Sequence, residues 1–384
     1  MNWRVAACIT LAFTFHVFAD TPSKSAECLT CHDDKATVFQ ASVHGSLSCT
    51  DCHSTVKGYP HAANAAVVKC QGCHSDPVAG VNDSVHAKAS AQPCKGCHGD
   101  SHAILSSKDP KSATYPSNLP RTCGTCHGDP KFAKSHHLPN VYAQYMDSIH
   151  GFALTRDGLL VAASCSSCHG SHKILSKNDP HSRTNRGNIA ATCGSCHAGA
   201  ERAYLAGIHG QRMQTGDTLA PVCTNCHTAH QVADPNSVAW QMKTAATCGQ
   251  CHQENYKTYH DTFHAQVSAL GYVETAHCWD CHGFHEILPA TDAKSTIAPA
   301  NLTATCGKCH SGVTASFVSY QPHADKHRRE AYPALWVTGI FMNLLLAGVL
   351  GFFALHTLLW LHRGLRERAA IAAGAGTDTG DRLQ

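Results

Sequence analysis

Cys-x-x-Cys-His occurs eleven times in this chain of 384 residues, and that repetition constrains the fold more than any other feature. The paired cysteines are Cys28 and Cys31, Cys49 and Cys52, Cys70 and Cys73, Cys94 and Cys97, Cys123 and Cys126, Cys165 and Cys168, Cys193 and Cys196, Cys223 and Cys226, Cys248 and Cys251, Cys278 and Cys281, and Cys306 and Cys309. Cys8 is the only one of the 23 cysteines outside the motif. With 23 Cys and 31 His in the chain, chance would give roughly a tenth of one such motif. The two thiols of this motif bond to the vinyl groups of one haem, and the adjacent imidazole becomes an axial ligand of its iron. A disulfide scaffold or a set of zinc sites would also pair cysteines, but neither needs a histidine after every second one. The chain is therefore expected to carry eleven covalent haem c groups. Their proximal ligands would be His32, His53, His74, His98, His127, His169, His197, His227, His252, His282 and His310.

That cofactor load sets the fold class. Residues 20–330 supply about 28 residues per haem, too few for an ordinary side-chain core around each, so the macrocycles themselves have to be the core. The expectation is a mostly α and irregular fold, with short helices and long loops packed around covalent haems and one C-terminal transmembrane helix. The stretches DPKSATYPSNLP from Asp109 and NDPHSRTNRGN from Asn178 read as loops, residues 140–149 as a short helix, and sheet signals are weak.

Arg4 followed by an apolar run from Val5 to Phe18 reads as a signal peptide over residues 1–19, cleaved after Ala19, which would remove Cys8. Val-Ala-Ala-Cys at 5–8 resembles a lipoprotein box but has too few residues before it. The haem region is then 20–331. From Leu335 to Leu361 no residue carries a formal charge, a length beyond the roughly 20 residues that cross a bilayer. A transmembrane helix is placed at 332–362 and a cytoplasmic, irregular tail at 363–384. Because the haem domain is exported, the protein is expected in the cytoplasmic membrane as a single-pass chain with its haems in the periplasm. The formal charge of +3 misleads, since each ferric bis-histidine haem brings about one negative charge through its propionates. Nothing in the sequence suggests nucleic-acid binding.

Superimposing the segments reveals repeats starting near residues 28, 70, 123, 193, 248 and 306. Each carries one motif, a spacer with a Ser-x-His-Gly-like element, and a second motif ending Cys-His-Gly with a further histidine and often Ile-Leu. The spacer histidines are His44, His86, His150, His209 and His264; the third repeat holds an insertion containing His136 and His137. The tail histidines are His102, His172, His230 and His285, with His61 the nearest and poorest counterpart in the first repeat and His323 in the incomplete sixth. These eleven are the expected distal ligands, which would make every iron six-coordinate and leave no site for a substrate. A tail histidine such as His172 cannot bend round to the iron of His169, because three extended residues span only about 10 Å, so it should serve a neighbouring haem. His136, His137, His181, His260, His277 and His327 read as surface or propionate-contacting residues.

This alternation resembles the repeat-built, doubled Cys-x-x-Cys-His type of multihaem c cytochrome found in bacterial respiratory electron-transfer chains, over residues 28–323. The resemblance implies a wire of closely spaced haems between quinone-linked membrane subunits and periplasmic or outer acceptors. A C-terminal anchor departs from the membrane-bound tetrahaem quinol dehydrogenases, whose anchor is N-terminal, so quinol oxidation by this chain itself is not implied. His356 inside the span suggests contact with a quinone or a b-type haem in an adjoining subunit, or else packing against a partner helix. The expected role is electron transfer without catalytic residues. Its partners would be a cytochrome b or iron-sulfur membrane subunit and periplasmic electron carriers. The alternative is a terminal reductase of nitrite, hydroxylamine or a sulfur oxyanion with one open haem site, for which His61 is the weak point.

Overall fold

The structure is a computed structural model, described here for residues 26–62, 68–89 and 92–375. The expected leader, with Cys8, and the last residues of the tail lie outside that range. Among the described residues there are helices, turns and loops but no strand. Before the terminal helix, the longest helix is Val238–Gly249, of 12 residues.

Several of the short helices are the motifs themselves. Cys49–Cys52, Cys165–His169, Cys223–His227 and Cys278–His282 are single helical turns, and Cys28–Thr30 and Cys70–Gly72 are 3₁₀ turns. A turn of 3.6 residues brings positions i, i+3 and i+4 to one face, so both thiols and the imidazole project together. The proximal histidine closes the turn with its own N–H: His53 donates to the Cys49 carbonyl at 2.9 Å and His197 to that of Cys193 at 2.9 Å.

The Ser-x-His element also has a structural cause. Ser148 caps the helix Ile149–Thr155, its Oγ accepting from the Gly151 N–H at 3.0 Å and donating to the Tyr145 carbonyl at 2.6 Å. Thr262 caps Phe263–Ala269 in the same way. The spacer histidine is thereby fixed in the first turn of a capped helix. This cap also corrects the single helix expected over 140–149, which is two helices, Val141–Met146 and Ile149–Thr155, broken where Ser148 turns the chain. A Cβ on Gly151 or Gly210 would lie 2.1 Å from the carbonyl oxygen of Tyr145 or Tyr204 respectively, which explains the glycine after these spacer histidines.

The loops are more regular than their composition suggests. Asn118, Asn188 and Asn301 each donate twice through Nδ2, for example Asn188 to the Pro180 and Ser182 carbonyls at 2.8 Å each. Thr122, Thr192 and Thr305 donate back to carbonyls of the same loops at 2.6–2.7 Å. Each threonine immediately precedes the first cysteine of a motif, so three motifs are presented by the same hydrogen-bonded loop. Tyr145, Tyr204 and Tyr259 act as a second brace, their hydroxyls donating to the carbonyls of Ala163, Pro221 and Ala276.

The chain divides into two compact units, residues 1–241 with 283–289, and residues 242–282 with 290–384. In the first, apolar burial is sparse and local: Leu154, Ile189, Ala190 and Val222 are buried. The second unit carries the terminal helix Pro333–Ala375, of 43 residues. Pro333–Gly374 contains an 18-residue stretch with a mean hydropathy of 2.1 and is long and apolar enough to cross a membrane. The tail, expected to be irregular, instead continues this helix to Ala375. Residues 363–375 are rich in Ala and Arg, both good helix formers, and Arg363 Nε pairs with Glu367 Oε1 at 2.7 Å one turn on.

Candidate functional site

Ten imidazole pairs recur through the chain with nearly constant spacing. His32 faces His61, His44 faces His74, His53 faces His102, and His86 faces His127, at ring-centre distances of 6.0, 5.9, 6.0 and 6.1 Å. His98 with His172, His150 with His197, His169 with His230, and His227 with His285 follow at 6.1–6.2 Å. In the second unit His264 faces His310 at 6.0 Å and His282 faces His323 at 6.2 Å. Every pair joins one motif histidine to one spacer or tail histidine. His209 and His252 complete the two sets of eleven.

This spacing is a test of cofactor fit. An imidazole nitrogen binds a first-row metal at about 2.0–2.1 Å with its ring centre about 1.1 Å behind, so two imidazoles on opposite faces of one iron have centres about 6.2–6.4 Å apart. The observed pairs are within a few tenths of an ångström of that. Stacked rings in direct contact would be closer, as His277 is to Trp279 at 4.4 Å. Burial holds His98, His169, His227 and His282 below the ordinary imidazole range, with the facing imidazole adding to the effect, which favours the neutral, ligating form. The donor set and its spacing fit haem c.

The pairing follows one rule. A spacer histidine faces the first motif of the next repeat: His44 with His74, His86 with His127, His150 with His197, His264 with His310. A tail histidine faces the second motif of the preceding repeat: His102 with His53, His172 with His98, His230 with His169, His285 with His227, His323 with His282. Neighbouring repeats thus exchange histidines in both directions. One backbone hydrogen bond accompanies the exchange. The N–H just before the spacer histidine donates to the carbonyl two residues after the tail histidine: Val43 to Ile104, Val85 to Ile174, Ile149 to Val232 and Ile208 to Ile287, at 2.8–2.9 Å. Close approach enforces it at Gly207, where a Cβ would lie 2.8 Å from the His285 carbonyl oxygen.

His61 is an exception that the sequence misreads. Aligned as a tail histidine, it instead faces His32 of its own repeat, where a preceding repeat would otherwise supply a spacer histidine. Its poor match follows from this different position. The tail histidines leave their motifs through an unusual backbone: Gly99, Gly170 and Gly283 have φ of 81–82°, and Thr228 takes the equivalent place at φ 63° and ψ 173°.

The thiols set the order of the motifs. Within each repeat the two first cysteines lie close enough to perturb one another's thiols: Cys28 and Cys49, Cys70 and Cys94, Cys123 and Cys165, Cys193 and Cys223, and Cys248 and Cys278. Between repeats the last cysteine meets the next motif. Burial raises the Cys52, Cys97, Cys168 and Cys281 thiols, and neighbouring thiols add to it: Cys73, Cys123, Cys193 and Cys306 respectively. The first eight motifs therefore follow one another in sequence order in the first unit, and the last three do so in the second.

The other histidines take no part in these pairs. His136 stacks on Phe132 at 4.1 Å, His181 bonds Asp179, and His260 lies edge-on to Tyr256 at 4.5 Å. His277, expected at the surface or against a propionate, does not lie at the surface. It is 3% exposed, with Nε2 3.3 Å from Ser268 Oγ and its ring on Trp279. His356 projects from the terminal helix beside Phe352, ring centres 6.4 Å apart.

Residues 214–257 match the family model of the doubled CXXCH motif, across the motifs at Cys223 and Cys248. A doubled haem-binding motif of the cytochrome c type is therefore present, with the capacity to bind haem c, in a chain that also has one candidate membrane helix. No curated protein and no solved structure matches the chain.

Proposed function

We propose that this chain is an undecahaem electron-transfer cytochrome, anchored by its terminal helix in the cytoplasmic membrane with the haem domain in the periplasm. The observation that carries this reading is the set of imidazole pairs 5.9–6.2 Å apart, the separation two ligands of one iron require. Bound haem c would supply one-electron chemistry. The chain's own residues do the rest. The cysteines hold each group covalently, the motif histidine and its facing partner take both axial positions, and that saturation leaves no place for a substrate. The order of the thiols supports transfer from each motif to the next within each unit. The exchanged histidines tie neighbouring repeats together inside each unit, which would hold neighbouring centres at a defined separation.

Electrons would enter from a cytochrome b or iron-sulfur membrane subunit and leave to periplasmic carriers. His356, in the apolar span, would face a quinone or b-type haem of that subunit. Arg363, Arg366 and Arg368 would lie on the cytoplasmic side; with Lys326, Arg328 and Arg329 before the span, the orientation rests on the exported haems and not on the basic residues. The facing of His61 and His32 supports a second imidazole at that iron at rest and weighs against a reductase. Two measurements on the membrane-extracted protein test the reading: the haem count by mass, expected to be eleven, and electron paramagnetic resonance of the oxidised state, expected to be wholly low-spin. A high-spin signal that responds to nitrite or hydroxylamine would overturn it.

A further inference from the structure

The exchange rule leaves one motif unlike the rest. Nine pairs take their distal histidine from a neighbouring repeat, whereas His32 takes His61 from its own. The four exchanged junctions with a bridging backbone bond, such as Val43 to Ile104 at 2.9 Å, hold both crossing histidines between two repeats. His61 has no such bond among the described residues. It lies in a helix-free stretch, residues 54–62, and both His32 and His61 are exposed. Two contacts orient its segment. The Tyr59 hydroxyl donates to Glu27 Oε2 at 2.7 Å, and His61 Nδ1 sits 3.1 Å from the Ala62 carbonyl oxygen. The second contact makes Nδ1 the protonated nitrogen and leaves Nε2 for the metal. Both contacts are exposed, where water competes for each partner.

We infer that His61 is a displaceable cap, and that the iron held by His32 is the one position in the chain where a small anionic or diatomic donor ligand can enter. This rests on the reading of the chain as eleven six-coordinate irons at rest. In the exchange the iron–His61 bond breaks, a bond from the incoming ligand's lone pair forms, and the oxidation state of the iron is unchanged. The freed imidazole swings into solvent with its short segment, and no packing between repeats has to open. Displacing His172 or His230, in contrast, would pull apart two repeats. The accessible terminal position therefore differs from the interior in coordination chemistry as well as in place.

The test is a cyanide titration of the oxidised full-length holoprotein in detergent, followed by visible absorption and electron paramagnetic resonance. One iron of the eleven should titrate at a cyanide concentration at least about tenfold below the others. His61→Ala should leave one high-spin iron at rest and bind cyanide there without the displacement step. Should that variant fail to accumulate with its haems, Tyr59→Phe decides, because it keeps the ligand and removes only the latch. It should raise cyanide affinity at the early site roughly twofold to tenfold, the equivalent of one hydrogen bond. Eleven low-spin irons with no early-titrating site, or a His61→Ala protein that stays wholly low-spin, would overturn the inference alone. High-spin iron in the resting wild-type protein would instead overturn the six-coordinate reading beneath it.

Discussion

Replacing His172 with alanine should open an iron in the preceding repeat and leave its own motif intact. In sequence His172 is three residues from His169, yet its ring centre is 6.2 Å from that of His98 and nearly parallel to it, at 15°. One iron in eleven should become high-spin. The variant also removes a cross-link that closes a loop of roughly 70 residues, worth at most about 4 kcal/mol by loop-closure entropy. The loss should be smaller than that, because the His86–His127 pair still ties the same two repeats. The open iron is located by deleting haems. Adding Cys94→Ala and Cys97→Ala to His172→Ala should remove the high-spin signal together with one haem by mass. Adding Cys165→Ala and Cys168→Ala instead should leave the signal in place. If the signal vanishes with the second pair of deletions and survives the first, the exchange rule is wrong.

Ring orientation should divide the low-spin irons into two classes, since axial-ligand arrangement tunes haem electronics. Tail pairs lie at 4–42° and spacer pairs at 37–76°, so the oxidised protein should show both near-parallel and crossed signatures, and a spectrum with one class alone would contradict this. Thr228→Gly should leave stability unchanged or raise it by about 1 kcal/mol in thermal unfolding: it relieves a conformation costing about 1–3 kcal/mol for a residue with a Cβ but loses the 2.6 Å bond from Thr228 Oγ1 to the Gln231 carbonyl. Acid should detach ligands. Burial lowers His98, His169, His227 and His282, so the folded chain binds fewer protons than the unfolded one, and their contribution is full above about pH 6.5 and lost as pH falls below it. The low-spin fraction followed against pH checks this, and a flat profile down to about pH 4 would count against it.

The eleven motifs, their proximal histidines, the sparse side-chain core and the apolar terminal segment were all legible in the sequence. Each depends on residues within one helical turn or one span, and such local spacing is written directly in the chain. The two sets of histidines were legible for the same reason: the repeat displays them as a pattern. Which histidine meets which motif was not. His172 and His98, or His285 and His227, are separated by whole repeats, and only chain crossing decides their contact. The geometric limit on three residues ruled out the wrong partner of His172 without naming the right one. His61 shows the difference most clearly. As a string it is a damaged copy of a tail histidine; in three dimensions it faces His32 of its own repeat and not a motif of a neighbouring one. Likewise, Asn118, Asn188 and Asn301 sit at a constant five positions before a motif cysteine, a visible spacing whose meaning emerged only when their amides were seen to hold the loops. Sequence determined what each motif is made of, because its two cysteines and its histidine lie within one helical turn. Tertiary structure decided how the motifs are joined, because the facing imidazole in each of the ten pairs is brought from another part of the fold.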